Sequence, residues 1–331
     1  MKKDTKIIIL LAVLLVCVAA YKLTGYYNDK QEETPTVDFV TINQDDIREI
    51  TWNYGGIEYT INNETGVWHW TGDEDFPVDE DKANNLAQKF ADITATREFS
   101  EDDLSEYGVE ESEIKITAAL SDGESYKFTI GNKNEVTNEN YVMLDGNDNI
   151  YMVESSFASA FEKTIDDLLK MEDIPQVTDP NKIQIAMGDG TVKEYTKSED
   201  GTWTDGTQTL DEEKVTSLVN KFLNLTWERC ENYNADDEIK SEKGFDNPYA
   251  TVTISGSNDE EAVLLFAKDE YEVLYVKLDG SNMIYNVDLS ILDSVDIATE
   301  DLLPDPVEET SETEEPSETE ETQSEDSQSN E

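Results

Sequence analysis

Tyr141-Val142-Met143-Leu144-Asp145-Gly146 returns as Tyr275-Val276-Lys277-Leu278-Asp279-Gly280, and this pair of stretches decides the fold. Each reads as a strand running into a tight turn, because Asp-Gly tolerates the positive φ of a type I′ hairpin. Working outwards, Ile150-Tyr151 answers to Ile284-Tyr285, and Asp167-Leu168-Leu169 to Asp301-Leu302-Leu303, all at a shift of 134 positions (275 − 141). The pattern between Ile47 and Leu169 therefore recurs between Ile183 and Leu303. A period so far above the roughly 20–50 residues of solenoid units means two whole domains.

Inside the first copy, Ile47, Ile50 and Trp52 lead to Gly55-Gly56, and Ile57, Tyr59 and Ile61 follow at period two, which reads as a hairpin. Val67-Trp68-His69-Trp70 makes a further short strand. Asp79 is placed to cap a helix whose apolar face is Ala83, Leu86, Ala87, Phe90 and Ile93. Strands are expected over residues 114–120, 126–130, 141–144 and 150–153, and a closing helix over 155–169. The second copy repeats the order. Asp211 caps a helix carrying Val215, Leu218, Val219, Phe222 and Leu225; strands follow at 250–254, 262–267, 274–278 and 284–287, and a short or broken helix at 289–303. Strands in hairpin order with two helices per copy are too few helices for parallel crossovers. The fold class is α+β, two tandem copies of a mainly antiparallel sheet unit.

The ends speak to location. Three lysines and one aspartate in residues 1–6 precede an apolar run over 7–21. Its ten Ile, Leu and Val residues contribute roughly −3 to −6 kcal/mol towards insertion. Two readings compete: an uncleaved signal anchor over 7–23, and a signal peptide cut near Val18-Ala19-Ala20. A buried core helix is a third. Cys17 lies deep in the run behind bulky Val16 and is a poor lipoprotein site. The lysines come first, so the positive-inside rule sends the rest of the chain out of the cytoplasm. From Pro304 the composition collapses to Glu, Thr, Ser, Asp, Gln and Pro, as in a disordered tail. The chain thus divides into a cytoplasmic N-terminus (1–6), a transmembrane anchor (7–23), a linker (24–40), two repeat domains (41–174 and 175–304) and an acidic tail (305–331).

Twenty-four Lys and Arg face 77 Asp and Glu, a formal net charge of −53. Nucleic acid is excluded as a partner, since phosphate binding needs clustered basic residues. Anionic lipid is disfavoured for the same reason, so membrane contact falls to the N-terminal segment. With Cys17 in the bilayer, Cys230 has no partner for a disulfide. The single histidine, His69, removes most metal and triad options.

The remaining motifs have structural readings. Asp122-Gly123, Asp145-Gly146, Asp189-Gly190, Asp200-Gly201 and Asp279-Gly280 are turn signals. Asp145-Gly146-Asn147-Asp148-Asn149 lacks the spaced ligands and distal Glu of a calcium loop, so calcium would bind only adventitiously. Trp68 and Trp203 match between copies; core packing outweighs carbohydrate stacking. No nucleophile elbow, P-loop or His-Glu-x-x-His occurs, and carboxylates are too abundant for any pair to be informative. No catalytic, cofactor-binding or metal-binding residue is assigned.

Gly66-Val67-Trp68, Pro77-Val78-Asp79, Leu104 to Gly108, Ile130-Gly131 and the hairpin from Tyr141 to Tyr151 together resemble the domain-of-unknown-function 4340 family of bacterial membrane-anchored proteins. The second copy departs from the pattern, with Ala267-Lys268 in place of Ile-Gly and Lys243-Gly244-Phe245-Asp246-Asn247-Pro248 in place of Tyr-Gly. The resemblance implies an accessory component found alongside ABC-type transporter proteins, and it brings no catalytic residues. The expectation is a single-pass, extracytoplasmic, non-enzymatic interaction module. The alternative is a cell-surface binder or hydrolase acting on envelope glycans through carboxylates and exposed aromatics.

Overall fold

A computed structural model describes residue 37, residues 39–100 and residues 104–306. The expected anchor, the linker as far as residue 36 and the tail beyond residue 306 lie outside the described residues. Among the described residues no helix is long and apolar enough to cross a membrane.

The first copy contributes β1 (Ile47–Tyr54), β2 (Ile57–Asn62), β3 (His69–Trp70), α1 (Glu80–Ala91), β4 (Ala95–Phe99), β5 (Lys115–Leu120), β6 (Ser125–Asn134), β7 (Glu139–Leu144), β8 (Ile150–Glu154) and α2 (Ser155–Ala160). Its sheet has the order β3-β2-β1-β5-β6-β7-β8-β4. The second copy contributes β9 (Pro180–Met187), β10 (Val192–Lys197), β11 (Trp203–Thr204), α3 (Glu212–Leu223), β12 (Arg229–Asn232), α4 (Asp237–Glu242), β13 (Ala250–Gly256), β14 (Glu261–Lys268), β15 (Leu274–Leu278), β16 (Ile284–Asn286) and α5 (Leu292–Val295). The second order, β11-β10-β9-β13-β14-β15-β16-β12, is the first with eight added to each number. The duplication is therefore one of topology, and the fold is α+β with two antiparallel eight-stranded sheets.

Contacts divide the chain into two compact units. The first holds the described residues up to Asp173 with Trp227–Glu242 and Gly280–Asn286; the second holds Ile174–Thr226, Lys243–Asp279 and the described residues from Val287. In the first, Trp52, Ile116 and Phe128 on the sheet and Leu86, Phe90, Phe157 and Phe161 on or beside the helices form one buried cluster. Phe90 meets Phe128, Phe157 and Phe161 at ring-centroid distances of 5.9, 5.6 and 5.4 Å. In the second, Val215, Leu218, Val219 and Phe222 of α3 are buried, and Phe222 meets Phe266 of β14 at 6.0 Å.

The helix starts explain the repeated Asp-Leu-Leu. Asp79 accepts from the backbone N–H of Asp81 and Lys82, and Asp211 from that of Lys214. Each capping residue also donates its own N–H to the middle residue of the motif, Asp79 to Leu168 O and Asp211 to Leu302 O, both at 2.8 Å. The third helical residue closes the device: Lys82 Nζ donates to Leu169 O at 2.9 Å and Lys214 Nζ to Leu303 O at 2.8 Å. The motif thus supplies a carbonyl pair that docks the end of each copy on the start of its helix. Asp211→Ala is expected to cost about 1 kcal/mol, read as a lower urea midpoint at unchanged m-value; an unchanged midpoint would mean that the cap carries no stability.

Three sequence expectations are corrected. The closing helix over 155–169 is only α2, followed by a separate 3-10 turn at Ile165–Leu168. Thr164 and Asp167 form a capping box there, which starts a new turn instead of continuing the old one. Strands β4 and β12 lie where the sequence pattern assigns no element; β4 is a charged edge strand with one buried residue, Ala95, so it lacks a strong period-two signal. The second copy also carries a third helix, α4, where the described residues of the first form the 3-10 turn Ser105–Tyr107.

Candidate functional site

Alternation along three neighbouring strands of the first sheet aims one set of side chains at the helices. Ile50 and Trp52 on β1, Tyr59 and Ile61 on β2, and Ile116 and Ala118 on β5 are all buried. The same face continues one step further, to Tyr54 and Ile57 at the ends of β1 and β2 and to Ile114 just before β5. Tyr54 pairs with Ile57, and the β1–β5 register that sets Trp52 opposite Ile116 carries Tyr54 to the level of Ile114. There the cover ends: Tyr54 is 41 %, Ile57 56 % and Ile114 44 % exposed. The strand face is longer than what is packed on it.

A pocket of about 570 Å³ opens beside this shelf. Ile130, Ala158 and Phe161 form its apolar lining, with Tyr54 and Ile114; Asn53, Asn140, Glu113 and Glu162 stand among them, and the Gly55-Gly56 turn completes it. Both glycines have positive φ, +62° and +79°, as a two-residue hairpin turn requires. The site is braced from behind. Trp52 Nε1 donates to Lys163 O at 2.9 Å, fixing the chain just past α2, and the Trp52 and Phe161 rings lie 6.4 Å apart. Asn140 Nδ2 donates to Gly131 O at 3.2 Å where the β6–β7 register shifts. This arrangement offers apolar burial and rim hydrogen bonds; it presents no nucleophile with a base beside it.

A second cleft in the same unit, about 630 Å³, is lined by Asp166, Asp167, Glu228, Arg229, Cys230, Glu231 and Tyr233 among others. Its thiol is the only nucleophile of interest. Burial pushes Cys230 up to about 11, and the nearby carboxylates of Asp166, Glu172 and Glu231 act the same way, so it is a protonated thiol at neutral pH. Tyr233 is pushed up to about 12, first by its hydrogen bond to Asp73 and then by burial. The bond lowers Asp73 in turn. Both shifts describe a phenol donating to a carboxylate, a structural tie. Tyr285 is likewise raised, by burial first; it donates to Glu172 Oε2 at 3.2 Å and stacks on Trp227 at 4.4 Å.

The matched residues resolve into packing and turns. Trp68 and Trp203 are each 2 % exposed. Trp68 Nε1 donates to Asn84 Oδ1 at 2.9 Å. The five Asp-Gly glycines all have positive φ. In the loop after Asp145, Asn147 donates to Tyr151 OH and Asn149 to Glu98 Oε1. Among the described residues, no group of three or more His, Cys, Asp or Glu is arranged to hold a metal ion.

Glycine permits a close loop–strand approach in both copies. In the first copy Gly131 of β6 allows the Tyr107 carbonyl to approach; a Cβ there would lie 2.2 Å from that oxygen. In the second, the register corrects the sequence match: Phe266 pairs with Val276 as Ile130 pairs with Val142, so Phe266-Ala267, and not Ala267-Lys268, stands at the place of Ile130-Gly131, and the close approach falls to the loop, where a Cβ on Gly244 would lie 2.2 Å from Lys268 O. The loop glycine is common to both copies, Gly108 with φ +69° and Gly244 with φ +88°, and the strand glycine belongs to the first copy alone. The residues of the open shelf were visible as strand residues, and the signal for the site was their phase, which runs on past the buried positions.

A family model described as Domain of unknown function (DUF4340) matches residues 68–248 and, overlapping them, residues 203–311. No curated protein and no solved structure matches the chain. The matched span reaches into both copies and covers well over half of the 331 residues, so the chain belongs to the domain-of-unknown-function family DUF4340.

Proposed function

We propose that this chain is a membrane-anchored extracytoplasmic protein that works by binding a partner, without chemistry of its own, through the open end of the first sheet. One observation carries the reading: Tyr54, Ile57 and Ile114 extend three buried strand faces into solvent beside an apolar pocket. Contiguous exposed apolar surface of this kind marks interaction sites. The absence of an activated nucleophile at Cys230 is consistent with it. The anchoring part rests on the apolar run over 7–21 behind three lysines. The partner suggested by the family resemblance is an ABC-type transporter complex. A glycan-directed role draws no support from Trp68 and Trp203, whose rings are buried.

The test is recovery from native membranes after mild cross-linking, comparing the full chain with Ile114→Asp at equal expression. Transporter subunits should come down with the parent and fall about tenfold or more with the variant. Recovery of none with the parent overturns the partner, and equal recovery with Ile114→Asp overturns the surface. N-terminal sequencing of the mature protein tests the anchor; a start near Tyr21 refutes it.

A further inference from the structure

The partner's chemistry can be read from the same site. Resting on the interaction reading above, we infer that the pocket of the first unit receives one apolar side chain of a peptide segment whose neighbouring residues are basic.

Size sets the first limit. A volume of about 570 Å³ falls within the roughly 300–1,000 Å³ of ordinary ligand pockets. It suits a side chain or two and is far too small for a domain face. Tyr54 and Ile114 then provide a shelf for the residue next to the anchor. A buried aromatic or aliphatic anchor with a hydrated rim is the usual anatomy of such contacts.

Charge sets the second. Glu113 and Glu162 line the pocket and no basic side chain does. Both carboxylates are exposed, as are Glu110 and Glu111 on the same connection. The chain carries −53 overall, so an acidic segment or an anionic lipid surface would be repelled before reaching the pocket. A basic segment is steered towards it. Exposed charge pairs add little binding strength and weaken in salt, so the apolar anchor must hold the complex and the rim must select it.

The duplication supplies an internal control. At the corresponding places the second unit has Met187, which is paired with Ala250 and whose N–H bonds Thr191 O, where the first has Tyr54, Ile114 and Ile57. Ala250 is fully buried. A Cβ on Gly188 would sit 2.6 Å from Pro248 O, so backbone closes over that end. The apolar shelf is a property of one unit, and one peptide should bind per chain.

The experiment uses the full chain in detergent and three labelled peptides: Lys-Lys-Trp-Leu-Lys-Lys, Glu-Glu-Trp-Leu-Glu-Glu and Lys-Lys-Ser-Ser-Lys-Lys, each capped at both ends. Anisotropy titrations at about 0.3 M salt suppress long-range attraction. The first peptide should bind at one site per chain. The other two should bind about tenfold more weakly or not at all. Ile114→Asp should weaken the first about tenfold, and Glu113→Lys with Glu162→Lys should remove the preference for Lys over Glu flanks. Both changes are at exposed positions, and an unchanged melt shows that the fold is kept. Equal binding of the Ser-Ser peptide, two sites per chain, or indifference to Ile114→Asp overturns the proposal. Preference for the acidic peptide, lost on Ile114→Asp, also overturns it while leaving the apolar surface as an interaction site. The interaction reading fails separately, when membrane recovery ignores Ile114→Asp.

Discussion

Gly244→Ala is expected to destabilise the second unit by about 2–5 kcal/mol, the sum of a left-handed residue with a Cβ and a clash against fixed backbone. Gly244 has φ +88°, a region that disfavours every L side chain. Its added Cβ would also stand 2.2 Å from Lys268 O and 3.1 Å from Lys268 C, and a main-chain carbonyl cannot swing aside as a side chain can. Gly190→Ala separates the two contributions. Gly190 has φ +91° and nothing within 4 Å of its Cβ position, so only the conformational cost of about 1–2 kcal/mol remains. Urea midpoints of the two variants should therefore differ clearly, Gly244→Ala being the lower. Equal midpoints would mean that the loop moves away freely and that the close approach has no structural importance. Gly131→Ala in the first unit should resemble Gly244→Ala in its clash, against Tyr107 O, without the φ contribution.

These glycines show which parts of the molecule are legible in the chain. The duplication was, because matched Tyr, Ile-Tyr and Asp-Leu-Leu residues serve local geometry that repeats with the topology. So were the helix starts at Asp79 and Asp211, where a cap, a first turn of acids and an apolar stripe agree. The close approach at Gly244 was visible only as part of a mismatch between the copies. Its meaning needs the distance between a loop and a strand that are remote in sequence. Edge strands β4 and β12 escaped because a strand with one partner and one solvent side needs little apolar patterning. The candidate site escaped for a related reason. Tyr54, Ile57 and Ile114 look like any inward strand residues, and whether an inward residue is covered depends on where α2 ends. That end is set by the turn that Thr164 and Asp167 begin.

Trp52→Ala is expected to cost the first unit about 3–5 kcal/mol, as truncation of a buried tryptophan does. The side chain is fully buried, its ring stacks on Tyr59 at 5.4 Å, and Phe161 lies at 6.4 Å. Removing it opens a cavity between sheet and helix and leaves Lys163 O without its 2.9 Å donor. For a unit of this size the thermal midpoint should fall by roughly 6–20 °C. A drop of only a degree or two would mean that the core collapses around the gap. Trp52→Phe tests the link from core to site. It keeps much of the apolar volume and loses the indole N–H, at a cost of about 1–2 kcal/mol. The lost bond is the one that holds the segment after α2 to β1, and that segment carries Phe161 and Glu162 into the pocket. Trp52→Phe should therefore leave the chain folded at 25 °C while weakening the Lys-flanked Trp-Leu peptide several-fold. Unchanged peptide affinity would show that the pocket is held by its own lining, independently of the Trp52 tether.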